Sequence, residues 1–164
     1  MKFKLSLSLL LIICATSLVA QNHIHTENDH HHHNHAKNEI GIVNAPVYLV
    51  KEKAMAYGVH LHYLRMIKDS KFGLGVGYER LFNEHKHNTF GIVGSYRPID
   101  RLSFSFSPGI TFEDEEPSEL NLALHFEAVY EFEFHHFHIG PTLGFAYDPE
   151  DYHVSLGLHI GYGF

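Results

Sequence analysis

The stretch at 151–164, DYHVSLGLHIGYGF, alternates between two kinds of side chain. Tyr152, Val154, Leu156, Leu158, Ile160, Tyr162 and Phe164 share one parity. His153, Ser155, Gly157, His159, Gly161 and Gly163 share the other. Successive side chains of a strand point to opposite sides, so period two over this length is a β-strand with one apolar face. The pattern recurs upstream. In 101–113, Leu102, Phe104, Phe106, Ile110 and Phe112 oppose Ser103, Ser105, Ser107, Gly109 and Thr111. In 119–135, Leu120, Leu122, Leu124, Phe126, Tyr130, Phe132 and Phe134 oppose Asn121, His125, Glu127, Glu131, Glu133 and His135. Shorter versions occupy 57–63, 72–79, 89–97 and 136–147, separated by turn-like pieces such as KDSK (68–71), RPID (97–100) and DPED (148–151). With a less regular strand in 39–50, the count is eight strands and no helix. Asn44 and Pro46 in that first strand predict a bulge. Pro108 and Pro141 predict two more, because each removes a ladder donor.

Eight antiparallel strands close into a barrel, and volume decides which face is outside. The interior of an eight-stranded barrel is only just wide enough for its lining to fill. The large apolar side chains are too many to share it, whereas Gly, Ser, Thr and small polar residues fit a narrow lumen. The apolar face therefore points into lipid, where a closed sheet satisfies every backbone group. Tyr63, Tyr78, Tyr96, Tyr130, Tyr147 and Tyr162, near strand ends, are the expected interfacial girdle. The expectation is an all-β, eight-stranded antiparallel transmembrane β-barrel spanning 39–164. A filled lumen argues against a pore.

Residues 1–20 have the layout of a cleaved secretory signal: Lys2 and Lys4, an apolar stretch from Leu5 to about Leu18, and small residues ending at Ala20. The apolar run is short for a membrane span, which needs about 20 residues. Lipidation at Cys14 is disfavoured by the bulky Leu11-Ile12-Ile13 before it. Cys14 is the only cysteine, so cleavage after Ala20 leaves no disulfide and no thiol ligand. Without Lys2 and Lys4, ten Lys and Arg face nineteen Asp and Glu, a formal charge of −9. That balance, with no basic stripe, excludes nucleic acid as a partner. Residues 21–38 carry one large aliphatic residue, Ile24, with Ala36 among His, Asn, Gln, Thr, Glu, Asp and Lys. Such a segment cannot bury enough to offset its ordering entropy and is expected to be a disordered arm.

A signal peptide, a short arm, eight strands and a final strand ending HIGYGF resemble the small outer-membrane barrels of the OmpA/OmpX type. GVHLHYLR, GVGYERLF, LHFEAVYEFEF and FHIGP resemble uncharacterised barrels of that architecture in Bacteroidota. The resemblance covers about residues 39–164. It implies the cell outer membrane, outer-membrane lipid and the barrel assembly machinery as partners, and aromatic Phe164 as an assembly signal. It also implies both termini in the periplasm, so that the arm hangs there. Lys51–Lys53, Asn83–Asn88, Glu113–Glu119 and Asp148–Asp151 are then external, while Lys68, Lys71, Arg97 and Arg101 belong to periplasmic turns. The resemblance implies no activity.

The chemistry lies in histidine. His23, His25, His30, His31, His32, His33 and His35 put seven imidazoles on the arm. Neutral imidazole is a ligand for borderline ions such as Zn²⁺, Ni²⁺ and Cu²⁺. The arm is thus the expected metal-binding segment of a non-enzymatic barrel, with incidental affinity on a structural barrel as the alternative. Inside the barrel, His60, His62, His136 and His138 are expected to face the lumen with His125, Glu127, Glu131, Glu133 and His159. Glu133 is expected opposite His138, and His85 and His87 in an external loop. These lumen residues are read first as a polar network that plugs the barrel, and second as a further metal site. HVS (153–155) resembles the His-x-Ser of lipid A deacylases. Their chemistry must face lipid, however, and here both residues fall on the inward parity.

Overall fold

The computed structural model describes residues 36–83, 86–149 and 151–164. Expectations for the signal peptide and for 21–35 of the histidine-rich arm lie outside these residues. Asn38, expected at the end of the disordered arm, instead opens the first strand, where its N–H donates to the Phe164 carbonyl at 2.9 Å. The strands are β1 (Asn38–Leu49), β2 (Ala54–Met66), β3 (Phe72–Phe82), β4 (His87–Ile99), β5 (Leu102–Glu113), β6 (Asn121–Tyr130), β7 (Phe132–Phe134), β8 (Phe137–Tyr147) and β9 (Tyr152–Gly163). Every pairing is antiparallel. β1 pairs with both β2 and β9, and β6 with both β5 and β8, so the sheet closes on itself.

β6 and β7 form one stave, interrupted at Glu131. Pairing to β8 keeps one register from Val129↔Thr142 to Phe132↔Ile139. The two unpaired positions on β8 are Gly140 and Pro141. Pro141 has no N–H to offer Tyr130, and the Tyr130 carbonyl lies so close to Gly140 that a Cβ there would collide with it. Nine hydrogen-bonded segments therefore make eight staves, the number the alternation predicts.

The three proline bulges are not present. β1 pairs with β2 without a break from Asn38↔Arg65 to Leu49↔Ala54. Its register with β9 is the same at Asn44↔Leu158 and Val47↔Ser155, on either side of Pro46. Pro108 sits in uninterrupted pairing to β6, opposite Leu124. Each proline omits a ladder bond and adds no residue. The one register shift lies between Tyr96 and Ile99, in the hairpin that contains Pro98.

The alternation sorts side chains as the volume argument requires. Ile40, Leu61, Val76, Ile92, Phe106, Phe126, Leu143 and Leu156 are exposed on the outer wall, while the opposite parity is enclosed. Aromatic rings gather towards both ends of the staves. Phe72 stacks on Tyr96 at 4.9 Å, and Tyr162 packs between Phe137 (4.9 Å) and Phe164 (6.1 Å) at the end that holds Asn38 and Phe164, termed here the terminus end. Tyr57–Phe82 and Tyr78–Phe90 lie towards the other, loop end. Polar atoms on the wall are bonded locally: the Tyr57 hydroxyl donates to Asn44 Oδ1 and that of Tyr63 to Asn38 Oδ1, each at 2.9 Å.

β1 departs from the rule of a small polar lumen face. Val43, Ala45, Val47 and Leu49 all point inward, and Val47 and Leu49 pack with Leu81, Ala54 and Ala56 into an apolar plug towards the loop end. The polar part of the lumen is thereby confined to the space beside and below it.

Candidate functional site

Parity puts imidazoles from four staves into one column. His60 and His62 come from β2, His125 from β6, His138 from β8, and His153 and His159 from β9. All six are buried. Ring centroids run His138–His159 (5.1 Å), His159–His62 (5.2 Å), His62–His60 (5.4 Å), His60–His125 (5.2 Å) and His125–His153 (6.4 Å). His153 and His159 are six residues apart on β9, which at ~3.3 Å per residue is roughly 20 Å of strand. Glycines make the room. A Cβ at Gly41 would strike the His62 ring and come within 2.6 Å of His159 Nε2, and one at Gly161 would overlap His138.

Four glutamates and one arginine accompany the column. Towards the middle, His60 Nδ1 is hydrogen-bonded to Glu127 Oε2 at 3.3 Å. Glu79 lies 3.7 Å from His125 Nδ1 and 3.8 Å from His153 Nε2. At the terminus end, Arg97 forms an ion pair with Glu39 Oε2 and lies 3.7 Å from Glu131, which accepts a 2.6 Å hydrogen bond from Ser103. Glu39 Oε1 stands 3.4 Å from both His62 Nε2 and His138 Nε2. Glu39, His138 and His159 offer ligand atoms that all lie within 4.8 Å of one another.

The sequence-predicted lumen residues divide as follows. His60, His62, His125, Glu127, Glu131, His138 and His159 are enclosed in the lumen. Glu133 pairs with His138 as expected, but it is exposed at the barrel rim. His136 does not face the lumen. β7 and β8 are joined by the turn His135–His136, with His135 in the left-handed region at φ 59°, and the turn leaves His136 exposed beside Tyr162. His87 is not in a loop: it opens β4 on the inward face, with Nε2 3.1 Å from Glu113. His85 and the seven arm histidines lie outside the described residues.

Sequence reasoning missed Glu39, Glu79 and Arg97. Carrying the parity of Gly41 back by two residues, and of Gly77 forward by two, finds both glutamates. Arg97 was expected in a periplasmic turn. β4 runs two residues past it, to Ile99, so the guanidinium sits inside the barrel mouth.

At the loop end, two carboxylates outside the strands fasten the connections. Burial raises the Asp151 carboxyl, but backbone N–H groups of Lys51, Tyr152 and Glu52 outweigh it and hold its pKa below the ordinary value. The Lys51 and Tyr152 bonds are 2.8 and 2.7 Å, so Asp151 ties the β1–β2 loop to the β8–β9 loop. Asp114 is lowered by hydrogen bonds from Arg80 and Asn88, each 2.7 Å long.

The geometry has known counterparts. Neisserial surface protein A superposes with TM-score 0.57 at 12% identity, over 77% of this chain and 96% of that one. The fold is that of the small outer-membrane β-barrels. The attachment invasion locus protein Ail of Yersinia pestis gives TM-score 0.51 at 17% identity, over 77% and 96% of the two chains. The N-terminal barrel domain of Pseudomonas aeruginosa OprF gives 0.50 at 17%, over 79% and 99%. No family model matches the sequence, and no curated protein does. At these identities the likeness concerns architecture alone: an all-β, eight-stranded antiparallel transmembrane barrel.

Proposed function

We propose that this protein is a non-enzymatic outer-membrane β-barrel that binds divalent transition-metal ions, Zn²⁺, Ni²⁺ or Cu²⁺, through histidine. Segment 21–38 serves as its periplasmic metal-binding arm. One observation carries this reading. Ala36, where the described chain enters the barrel, lines the same mouth as Glu39, His135, His136 and His138. Residues 23–35, with their seven imidazoles, directly precede Ala36 in sequence. Outer-membrane lipid, through the exposed apolar wall, and the barrel assembly machinery are the other proposed partners. The fold of the neighbours supports the outer membrane as the location.

A hydrolase reading is weaker. His153 is buried in the lumen, 3.8 Å from Glu79, and Ser155 lies beside Gly144 on the same inward face. Neither offers its chemistry to a lipid on the outer wall. The bonds His60–Glu127 and Ser103–Glu131 favour a purely structural role for the mid-lumen groups they join.

The test is a Zn²⁺ or Ni²⁺ titration of the full chain beside a chain whose seven arm histidines are asparagine. The arm reading expects most bound metal to be lost with those imidazoles. It also expects binding to weaken below about pH 6.5, where imidazole protonates. Unchanged stoichiometry and affinity would remove the arm from the account.

A further inference from the structure

The lumen groups are unequally satisfied, and the inequality is concentrated at the terminus end. His159 is 1% exposed, yet neither of its ring nitrogens has a hydrogen-bond partner. His138 Nε2 has none either, although it stands 3.4 Å from Glu39 Oε1. Buried polar groups of this kind ordinarily find partners. His62 Nε2 is hydrogen-bonded to the same oxygen, also at 3.4 Å, and shares with His159 Nε2 the space left open by Gly41. Three imidazoles and one carboxylate oxygen thus converge from β1, β2, β8 and β9.

The spacing suits a metal better than a proton. A charge-assisted N–H···O contact closes to about 2.7–2.9 Å, and both Glu39 gaps are longer than that. Around a tetrahedral Zn²⁺ with bonds of about 2.0–2.1 Å, neighbouring donors lie roughly 3.3–3.4 Å apart. The charge balance points the same way. Glu39, Glu79, Glu127 and Glu131 share the lumen with one enclosed guanidinium, Arg97. Arg97 opposes a nearby cation, but it engages the far oxygen of Glu39 and Glu131. It thereby aims Oε1 at the imidazoles, as an outer-shell partner orients a ligand.

We propose that Glu39, His138 and His159 form a binding site for a Zn²⁺-class ion inside the terminus end of the barrel, distinct from the arm, with the adjacent His62 or a water as the fourth ligand. Glu39 and His138 line the pocket that opens at this mouth, so an ion reaches them without crossing the filled lumen. The proposal goes beyond the arm reading and does not depend on it.

The experiment uses the full chain with its seven arm histidines replaced by asparagine, folded in detergent micelles and titrated with Co²⁺, then Zn²⁺. The expected result is one Co²⁺ per chain with the intense visible absorption of four-coordinate cobalt, displaced by Zn²⁺. His159→Gln should weaken binding by about 100-fold or more, beyond the ~10–100-fold typical of outer-shell losses. His136→Gln, in the exposed turn, should leave it unchanged. Folding is verified by gel mobility without boiling. If His159→Gln fails to fold, His138→Gln must show the same loss. A folded arm-substituted chain that takes up no four-coordinate Co²⁺ overturns the inference, as does parental affinity in the folded variant. Such a result leaves the arm reading standing if the native chain still binds. One ion retained by the arm-substituted chain upholds this site, and the arm is then judged by whether the native chain binds metal beyond that ion.

Discussion

Arg97 is the only enclosed guanidinium among the described residues, and replacing it measures how the lumen holds its charge. It is 8% exposed, ion-paired to Glu39 and 3.7 Å from Glu131. A pair at this separation is worth ~4 kcal/mol at an effective dielectric near 20, and the cost of burying the guanidinium offsets much of the two contacts. Arg97→Met then leaves two buried carboxylates without their cation, and breaking a buried pair in this way costs ~3–5 kcal/mol. The double change Arg97→Met with Glu39→Gln removes the orphaned charge while Ser103 still serves Glu131. It should recover all but ~1 kcal/mol, because replacing both members of a buried pair is often nearly neutral. The assay is urea unfolding of the barrel in lipid vesicles, scored by the band that migrates as folded barrel without boiling. A loss below ~1 kcal/mol in the single variant, or no recovery in the double, would refute this account of the lumen.

Two further outcomes follow from the wall and the loops. Leu156, 65% exposed at mid-strand in β9, should cost ~2–4 kcal/mol when changed to Lys, against ~0–1 for Tyr152→Lys at the strand end; equal costs in the same unfolding assay would mean that mid-wall does not lie in hydrocarbon. The Asp151 carboxyl is lowered in the fold, so its stabilisation is complete above the unfolded value of about 3.9 and is lost as pH falls through the folded one. Amide exchange at Lys51 and Tyr152 should therefore lose protection in acid, whereas Asp151→Asn should lose ~1–3 kcal/mol of local protection at neutral pH and show little further acid dependence. Protection that survives unchanged in the Asn variant would remove Asp151 as the loop fastener.

Most of the barrel was legible because parity is local. Tyr152 to Phe164 declare their faces without reference to any other strand, and the choice of lipid face needs only volumes. The proline positions misled because a missing donor was read as an extra residue. The register across Pro46 and Pro141 shows that a closed sheet tolerates an omitted bond. His136 misled because parity stops at a turn, and the left-handed His135 breaks the phase. β1 was the least legible strand, since an inward row of Val43, Ala45, Val47 and Leu49 makes both faces apolar and erases the alternation. The convergence of Glu39, His62, His138 and His159 was not legible at all. Parity gives the face of a residue but not its height along the barrel. Height depends on the stagger between strands far apart in sequence, such as β1 with β9.

The central claim, that the apolar parity faces lipid and the histidine parity faces the lumen, is tested most directly by a cysteine scan of β9. The sequence has one cysteine, Cys14, and none from 36 onward. Single cysteines at Val154, Leu156, Leu158 and Ile160, and at Glu116 as a loop control, each carrying a small fluorophore, are read for quenching by lipids brominated on the acyl chain. The account predicts strong quenching at the four wall positions and weak quenching at Glu116. Quenching at the wall positions no stronger than at Glu116 would contradict it.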